Sequence, residues 1–348
     1  MSSSESSQLS LAILDDWASV AEPHFQQIPD LDVHTYPTTL NPSKPSDLEQ
    51  LKERLKPYAI ISTMRERTPF PKSLLSSLPN LRLLLTTGTR NASLDLATRR
   101  RKRKQASIPT TPPPGFDSTT QHAWSLLLSL TSRIPTDNTR LHTQPSAWQS
   151  GLSVPLGGRT LGICGLGKLG TNMARIGALA FGMKVICWSS SLTQSKADEA
   201  AAGAGLGPGA FELVAKEDLF RRADVLSLHY VLSPRSRGLV GAQELALMKP
   251  SAIFVNTARG PLVDEQALLQ VLEKGGIRGA ALDVFWEEPL GPESPWRTTK
   301  WGEGGRSRVV LSPHMGYVNE GTMNRWYQEQ AETVRKWIKG EEVGNRMA

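Results

Sequence analysis

Short apolar runs, each closed by a polar or turn-forming residue, recur along the chain. The first is Ser10–Leu14, stopped by Asp15 and Asp16; Tyr58–Ser62 and Leu81–Thr86 follow. Each is too short for a buried helix and reads as a strand covered on both faces. Between them, Asp47–Lys56 and Lys72–Leu78 carry helical spacing, the second closed by Pro79 and Asn80. Strands and helices alternating at these lengths predict a small parallel-sheet domain.

Residues 107–115 are rich in Pro and Thr and read as a loop. A helix over Gln121–Thr131 follows, with Ser118, Thr119 or Thr120 supplying a hydroxyl cap, and carries the chain into a second domain. There the pattern sharpens. Thr160–Cys164 is a strand, three glycines follow, and a helix runs over Thr171–Phe181. Lys184–Trp188, Val225–Leu228, Ala252–Val255, Gly279–Leu282 and Val309–Leu311 are further strands, with helices such as Gln243–Met248 and Glu265–Glu273 between them. This alternation predicts a doubly wound parallel sheet. The tail, Glu320–Lys339, is a long helix with Trp326, Tyr327, Val334 and Trp337 as its expected buried residues.

Composition adds boundaries. A chain of 348 residues suits two domains. No apolar run approaches the roughly 20 residues needed to cross a bilayer. The first ten residues are serine-rich without a basic residue, unlike a secretory or transit leader, so a cytoplasmic protein is expected. Cys164 and Cys187 lie in neighbouring expected strands and are expected buried and reduced, not a disulfide framework. The net charge of +7 hints at nucleic acid, but one run of six, residues 99–104, supplies all but one of the excess charges. Such a run is usually solvated. A nuclear-import tag is the sharper alternative, and no nucleic-acid or membrane partner is expected.

The strongest local signal is Gly165-Leu-Gly167-Lys-Leu-Gly170. Alone the spacing is weak, but between a strand and a helix it marks a dinucleotide site. Gly165 permits the tight turn, Gly167 lets a pyrophosphate approach, and Gly170 lets helix and strand pack closely. The amides of Lys168 and Leu169 join that helix N-terminus, which favours phosphates. An acidic residue about 20 positions on ordinarily takes the ribose 2′-hydroxyl and marks NAD. Here Ser189, Ser190 and Ser191 end the second strand, Lys196 follows, and no carboxylate precedes Asp198. Hydroxyls and a cation accept a 2′-phosphate, so the cofactor is NADP or NAD, with NADP favoured.

Further motifs carry a family resemblance: Met64–Thr68, Thr86–Asn91, Asn256-Thr-Ala-Arg-Gly260, Leu282-Asp-Val-Phe-Trp-Glu-Glu-Pro289 and Ser312-Pro-His-Met-Gly316. In this order and spacing the chain resembles the D-isomer-specific 2-hydroxyacid dehydrogenases, most closely their fungal, phosphoglycerate dehydrogenase-like members. The resemblance implies an α/β fold of two domains. A Rossmann cofactor domain would span residues 121–317, and a smaller flavodoxin-like substrate domain would combine residues 1–120 and 318–348. It implies an active site of Arg259, Glu288 and His314. A 2-keto acid offers a carboxylate and a ketone, and its reduction needs a hydride at carbon and a proton at oxygen. Arg259 would grip the carboxylate with its donor fork. His314 would move the hydroxyl proton, and Glu288 would orient the imidazole. Taken singly, each is more often an ordinary loop residue; together they stand at the ends of successive expected strands, where open sheets bind ligands.

By the same resemblance, Asp283 would contact the nicotinamide carboxamide, and Thr257 and Ala258 would line the nicotinamide end. Backbone around Thr89 and Arg90 would hold the substrate carboxylate. The substrate would be a small 2-keto or 2-hydroxy acid such as glyoxylate or hydroxypyruvate, with closure of the domains over it, and the protein a homodimer. The other histidines, His122 and His229 among them, are not spaced as metal ligands and are expected structural or exposed, although His229 ends a strand and borders the cofactor side. Gln121 stands where relatives usually have Glu. The chain ends about 30 residues after His314, which predicts no regulatory serine-binding domain. A competing reading is a dinucleotide-sensing corepressor-like scaffold, led to the nucleus by residues 99–104. A formate dehydrogenase is disfavoured, because that branch has Gln where Glu288 stands.

Overall fold

The computed structural model describes residues 9–87, 93–95, 105–107 and 117–343. Thr89, Arg90 and the basic run 99–104 lie outside them. The chain divides into two compact units, residues 1–116 with 319–348 and residues 117–318.

The first unit holds a five-stranded parallel sheet. Its strands are β1 (Leu9–Leu14), β2 (Leu31–Tyr36), β3 (Ile60–Thr63), β4 (Leu83–Thr86) and β5 (Gln105–Ser107), in the order β2-β1-β3-β4-β5. This is the flavodoxin-like order. β3 and β4 are buried at every position, as continuous apolar runs between helical layers should be. The sequence pattern missed β2, whose Leu31-Asp-Val-His-Thr-Tyr alternates apolar and polar positions at the sheet edge. The tail helix, Glu320–Ile338, belongs to this unit, and Gln330 Oε1 accepts from Ser62 Oγ at 2.6 Å. Trp326, Tyr327 and Val334 are buried on it. Trp337 is half-exposed instead, in the last turn.

The second unit is a seven-stranded parallel sheet. It comprises β6 (Thr160–Cys164), β7 (Lys184–Trp188), β8 (Phe211–Leu213), β9 (Val225–Leu228), β10 (Ile253–Asn256), β11 (Gly279–Leu282) and β12 (Arg308–Leu311). The order β12-β11-β10-β9-β6-β7-β8 reverses between β6 and its neighbours, which places the topological switch at the end of β6. Two apolar clusters cover the sheet. One is built on Phe220, Leu245, Phe254, Leu268 and Trp296, the other on Trp124, Leu127, Met173 and Phe211. Cys164 and Cys187 are free thiols buried in this core, and burial pushes each up to about 12, so both stay protonated.

Two helix starts differ from the sequence reading. The helix after β6 begins at Lys168, so Gly170 sits in its first turn rather than before it. The helix Ser118–Ser132 is capped by Asp117, whose carboxylate accepts from Thr120 N at 3.1 Å, and not by a hydroxyl. A charged acceptor at the cap satisfies an otherwise orphaned amide and complements the helix dipole.

Candidate active site

The turn after β6 owes its shape to its glycines. Gly165 has φ +101°, a left-handed conformation, and a Cβ there would meet His229 O at 2.8 Å. At Gly170 a Cβ would stand 2.1 Å from Gly165 O, so only hydrogen fits between helix and turn. At Gly167 the result is opposite: nothing lies within 4 Å, and the residue is exposed. No side chain caps the helix Lys168–Phe181, so no residue of the cap competes for the first-turn amides, those of Lys168 and Leu169 among them. Open space before free amides is a fit for a pyrophosphate.

β7 ends next to this turn, with Gly165 N donating to Trp188 O at 2.8 Å. Ser189 and Ser190 follow. Tyr230, just beyond β9, stacks on Trp188 with ring centroids 6.0 Å apart. Its hydroxyl accepts from Ser190 N at 3.0 Å and donates to Ser190 Oγ at 2.8 Å. Beside it, His229 Nε2 lies 2.8 Å from Ser227 Oγ, and desolvation pushes the imidazole down to about 4, so it is neutral near pH 7.

The ends of β10, β11 and β12 lie side by side, with Asn256 opposite Leu282 and Leu282 opposite Leu311. The loops carrying Arg259, Glu288 and His314 therefore leave one sheet edge together. After β10, Asn256 Oδ1 accepts from Ala258 N at 3.0 Å and its Nδ2 donates to Arg259 O at 3.1 Å, folding residues 256–259 into a tight turn. Arg259 Nη1 donates to Ala258 O at 2.8 Å. Gly260 presses against the loop after β11, where a Cβ would fall 2.3 Å from the Phe285 carbonyl. Thr257 Oγ1 is buried and, among the described residues, has no hydrogen-bond partner. Such an orphaned hydroxyl is costly unless a ligand meets it.

Glu288 Oε1 accepts from Phe285 N at 2.8 Å, and Oε2 lies 2.6 Å from His314 Nδ1. The backbone bond thus aims the carboxylate, and the carboxylate aims the imidazole. Tyr317 packs edge-on to the ring at 5.5 Å. His314 itself has φ +57°, a left-handed conformation that costs a non-glycine residue roughly 1–2 kcal/mol. A strained residue with a charged partner persists only where its surroundings over-determine it.

Asp283, the first residue after β11, lies below this loop. Its side chain is 1% exposed and accepts from Met315 N at 2.8 Å, Gly316 N at 2.9 Å and Ser312 Oγ, with His122 Nε2 at 3.1 Å. Burial pushes its pKa up, but these donors outweigh it and hold the group below the usual carboxylate range. His122, expected structural or exposed, is thus drawn into the site, and its Nε2 also lies 2.8 Å from Ser312 Oγ. No sequence signal pairs residues 161 positions apart. Helical spacing alone did place His122 on a helix near the domain boundary.

The first unit's sheet has its own carboxyl end. Asp15, after β1, accepts from Thr39 Oγ1 at 2.6 Å and Thr68 Oγ1 at 2.9 Å, and burial raises its pKa. Arg65 is left-handed (φ +46°), with its N donating to Thr87 Oγ1 at 3.0 Å. Among the described residues no group of three or more His, Cys, Asp or Glu is placed to hold a metal. No described helix is long and apolar enough to cross a membrane.

A doubly wound sheet with a phosphate-fitting turn at its switch point, and a carboxylate-held imidazole four strands beyond, defines a dinucleotide-dependent oxidoreductase. Residues 124–316 match the model for "D-isomer specific 2-hydroxyacid dehydrogenase, NAD binding domain". The chain is 36% identical over 281 residues to a glyoxylate reductase of Aeropyrum pernix, covering 77% of this chain and 76% of that protein. It is 32% identical over 289 residues to D-3-phosphoglycerate dehydrogenase of Mycobacterium bovis, covering 82% of this chain but spanning only 51% of that relative. The crystal structure of a phosphoglycerate oxidoreductase from Vibrio cholerae superposes with a TM-score of 0.82 at 34% identity, over 95% of this chain and 99% of that one. The chain belongs to the D-isomer specific 2-hydroxyacid dehydrogenase family. It is accordingly an oxidoreductase with an NAD-binding Rossmann domain.

Proposed function

We propose that the protein interconverts a small 2-keto acid, of the glyoxylate or hydroxypyruvate type, and its D-2-hydroxy acid. The observation that carries this reading is the 2.6 Å contact of His314 Nδ1 with Glu288 Oε2, beside the Arg259 turn. A carboxylate that accepts a hydrogen bond from Nδ1–H leaves Nε2 to carry the proton exchanged with the substrate oxygen. It also stabilises the imidazolium that forms when the alcohol is deprotonated. Arg259 binds the substrate carboxylate and polarises its neighbouring carbonyl. The bound nicotinamide supplies or accepts the hydride at carbon. Gly165, Gly167, Lys168, Leu169 and Gly170 hold the pyrophosphate, Ser189 and Ser190 the adenosine ribose, and Thr257 and Ala258 the nicotinamide end. The glyoxylate reductase among the relatives supports the choice of substrate class.

We assign NADP in preference to NAD. The Tyr230 hydroxyl donates to Ser190 Oγ, so the serine's own proton is left to point at an acceptor. A hydroxyl donor at a strand end with no carboxylate in the sequence before Asp198 suits a 2′-phosphate. Initial rates with NADPH and NADH over a panel of 2-keto acids test both statements. Turnover is expected with short keto acids and better with NADPH. No oxidation of either cofactor would overturn the activity, and equal or better rates with NADH the cofactor assignment.

A homodimer is part of this reading. The helix Ile134–Thr143 buries none of its residues, and Ile134, Leu141, Trp148 and Leu152 are large apolar side chains more than half exposed. A second copy covering these side chains is the occupant we assign. Light scattering is expected to give twice the chain mass, reduced by Trp148→Glu; a monomer at micromolar concentration would refute it.

A further inference from the structure

Arg259 and Glu288 stand on separate loops, and Trp286 fastens one loop to the other. After Arg259 a short 3₁₀ turn, Gly260–Leu262, leads through Val263 to the helix Glu265–Glu273. Val263 is bridged to Val240, so this segment has a fixed place. Trp286 lies on the other loop, two residues before Glu288, and its Nε1 donates to Val263 O at 2.8 Å. Its ring stacks on Trp296, with centroids 5.7 Å apart and planes 4° from parallel. Trp296 is 1% exposed, and its own Nε1 donates to Glu265 Oε1 at 2.9 Å. Trp301 backs Trp296 at 5.9 Å and donates to its carbonyl at 3.1 Å.

A partner for a single buried indole N–H is ordinary. Here two stacked indoles aim their N–H groups at Val263 and Glu265, two residues apart on the segment that leaves Arg259. The stack fixes the plane of Trp286 and so the direction of its N–H. Gly260 meets the same loop from the Arg259 side, where a Cβ would lie 2.7 Å from Trp286 N. Phe285 N, one residue before Trp286, donates to Glu288 Oε1. Displacing Trp286 therefore displaces the donor that aims Glu288, and through Glu288 the imidazole of His314. The Arg259 turn keeps its own fastening in Asn256.

We propose that Trp286 is a positioning residue for the Glu288–His314 pair, setting it at a fixed place relative to Arg259, with Trp296 holding the indole in plane. The proposal rests on the reading of these three as the catalytic set. Arg259 grips the carboxylate of a keto acid while the imidazole meets the oxygen one carbon away. A change in their spacing costs rate and leaves binding in place.

The test is a mutant cycle on the full-length protein, with Trp286→Phe, Trp286→Leu, Glu288→Gln and the double variants. Phenylalanine keeps a ring on Trp296 and removes the N–H; leucine removes both. Steady-state rates with glyoxylate and hydroxypyruvate give kcat and keto-acid KM, and fluorescence titration gives the NADPH and NADH Kd. For Trp286→Phe, kcat is expected to fall about fivefold, the reach of one hydrogen bond. For Trp286→Leu the fall should be about 30-fold, with KM and Kd within about threefold of the parent. In the Glu288→Gln background each Trp286 change should cost less than about twofold more, because a residue that acts through Glu288 then has nothing left to position. Losses that multiply in full would overturn the proposal, since Trp286 would then act only on the stability of the unit. So would parent kcat in both Trp286 variants, or a KM that rises while kcat holds. The phenylalanine arm of the cycle stays decisive if the leucine variants do not fold. Parent turnover in Glu288→Gln and in His314→Ala would instead sink the acid–base reading, a result distinct from a cycle that multiplies.

Discussion

On the β6–β7 side of the larger sheet the chain offers backbone and room; on the β10–β12 side it offers side chains already held. Gly167 has nothing near its missing Cβ, and the helix behind it has no capping side chain. His314, by contrast, touches Glu288 and Tyr317, and its loop is tied to Asp283 on both flanks. A bound polyanion is recognised by amides that only small residues leave uncovered. Proton transfer needs one imidazole in one pose, and that pose is set by many contacts. Substitutions should therefore act differently on the two sides: filling space harms the first, and removing partners harms the second.

The largest effect expected is on the held side. His314→Ala should lower kcat by about 10³- to 10⁴-fold, and Glu288→Gln by about 10²-fold or more, with cofactor Kd unchanged. Stopped-flow single turnovers check this, and a cofactor Kd that follows the rate would erase the contrast. Next comes a pair on the open side. Gly170→Ala forces its Cβ onto Gly165 O and should cost roughly 1–3 kcal/mol of stability in urea titrations. Gly167→Ala should fold like the parent yet bind dinucleotide about tenfold or more weakly, a loss near 1.4 kcal/mol. Equal affinity would mean that no phosphate approaches there.

A smaller effect concerns His229, between the two sides. Its folded pKa is lowered from 6.5 to about 4, so the unfolded chain binds the proton first. Its stabilising contribution is complete above pH 6.5 and is lost as pH falls toward 4. Between pH 7.5 and 5 that is about 2 kcal/mol. His229→Gln should lose this share of the acid sensitivity, measured as the difference in urea midpoints at the two pH values; an identical pH slope would sink it. Smallest is Tyr230→Phe, which releases Ser190 and should narrow the NADPH-over-NADH affinity ratio a few-fold, a change on the order of 1 kcal/mol. An unchanged ratio would remove Tyr230 from cofactor choice.

The same contrast explains what could be read from the sequence. The open side is local: Gly165, Gly167 and Gly170 lie within one turn, so spacing alone revealed them. Continuous apolar strands such as β3, β9 and β11 were equally plain, because burial on both faces leaves no alternation. Strand β8 was missed, being three residues long. The helix Ile134–Thr143 was missed because it has only two large apolar residues, Ile134 and Leu141, and buries neither. On the held side, Arg259, Glu288 and His314 were found only through resemblance. His122 and Tyr230 escaped altogether, since their partners Asp283 and Ser190 are 161 and 40 positions away. Asp117 was passed over for neighbouring hydroxyls, though its carboxylate also takes Asn172 Nδ2 at 2.7 Å and ties two helices together.

The left-handed backbone at His314 has a consequence for descent. Asn enters that region with less penalty than most side chains, and its codons differ from those of His by a single base. Such an exchange removes the titrating ring while leaving the Ser312, Met315 and Gly316 anchors and the glycine turn as they are. On the role proposed for His314, one point mutation thus separates an oxidoreductase from a folded dinucleotide binder whose turnover is lower by about 10³- to 10⁴-fold, which makes the proposed proton-transfer group the most dispensable part of the architecture that surrounds it.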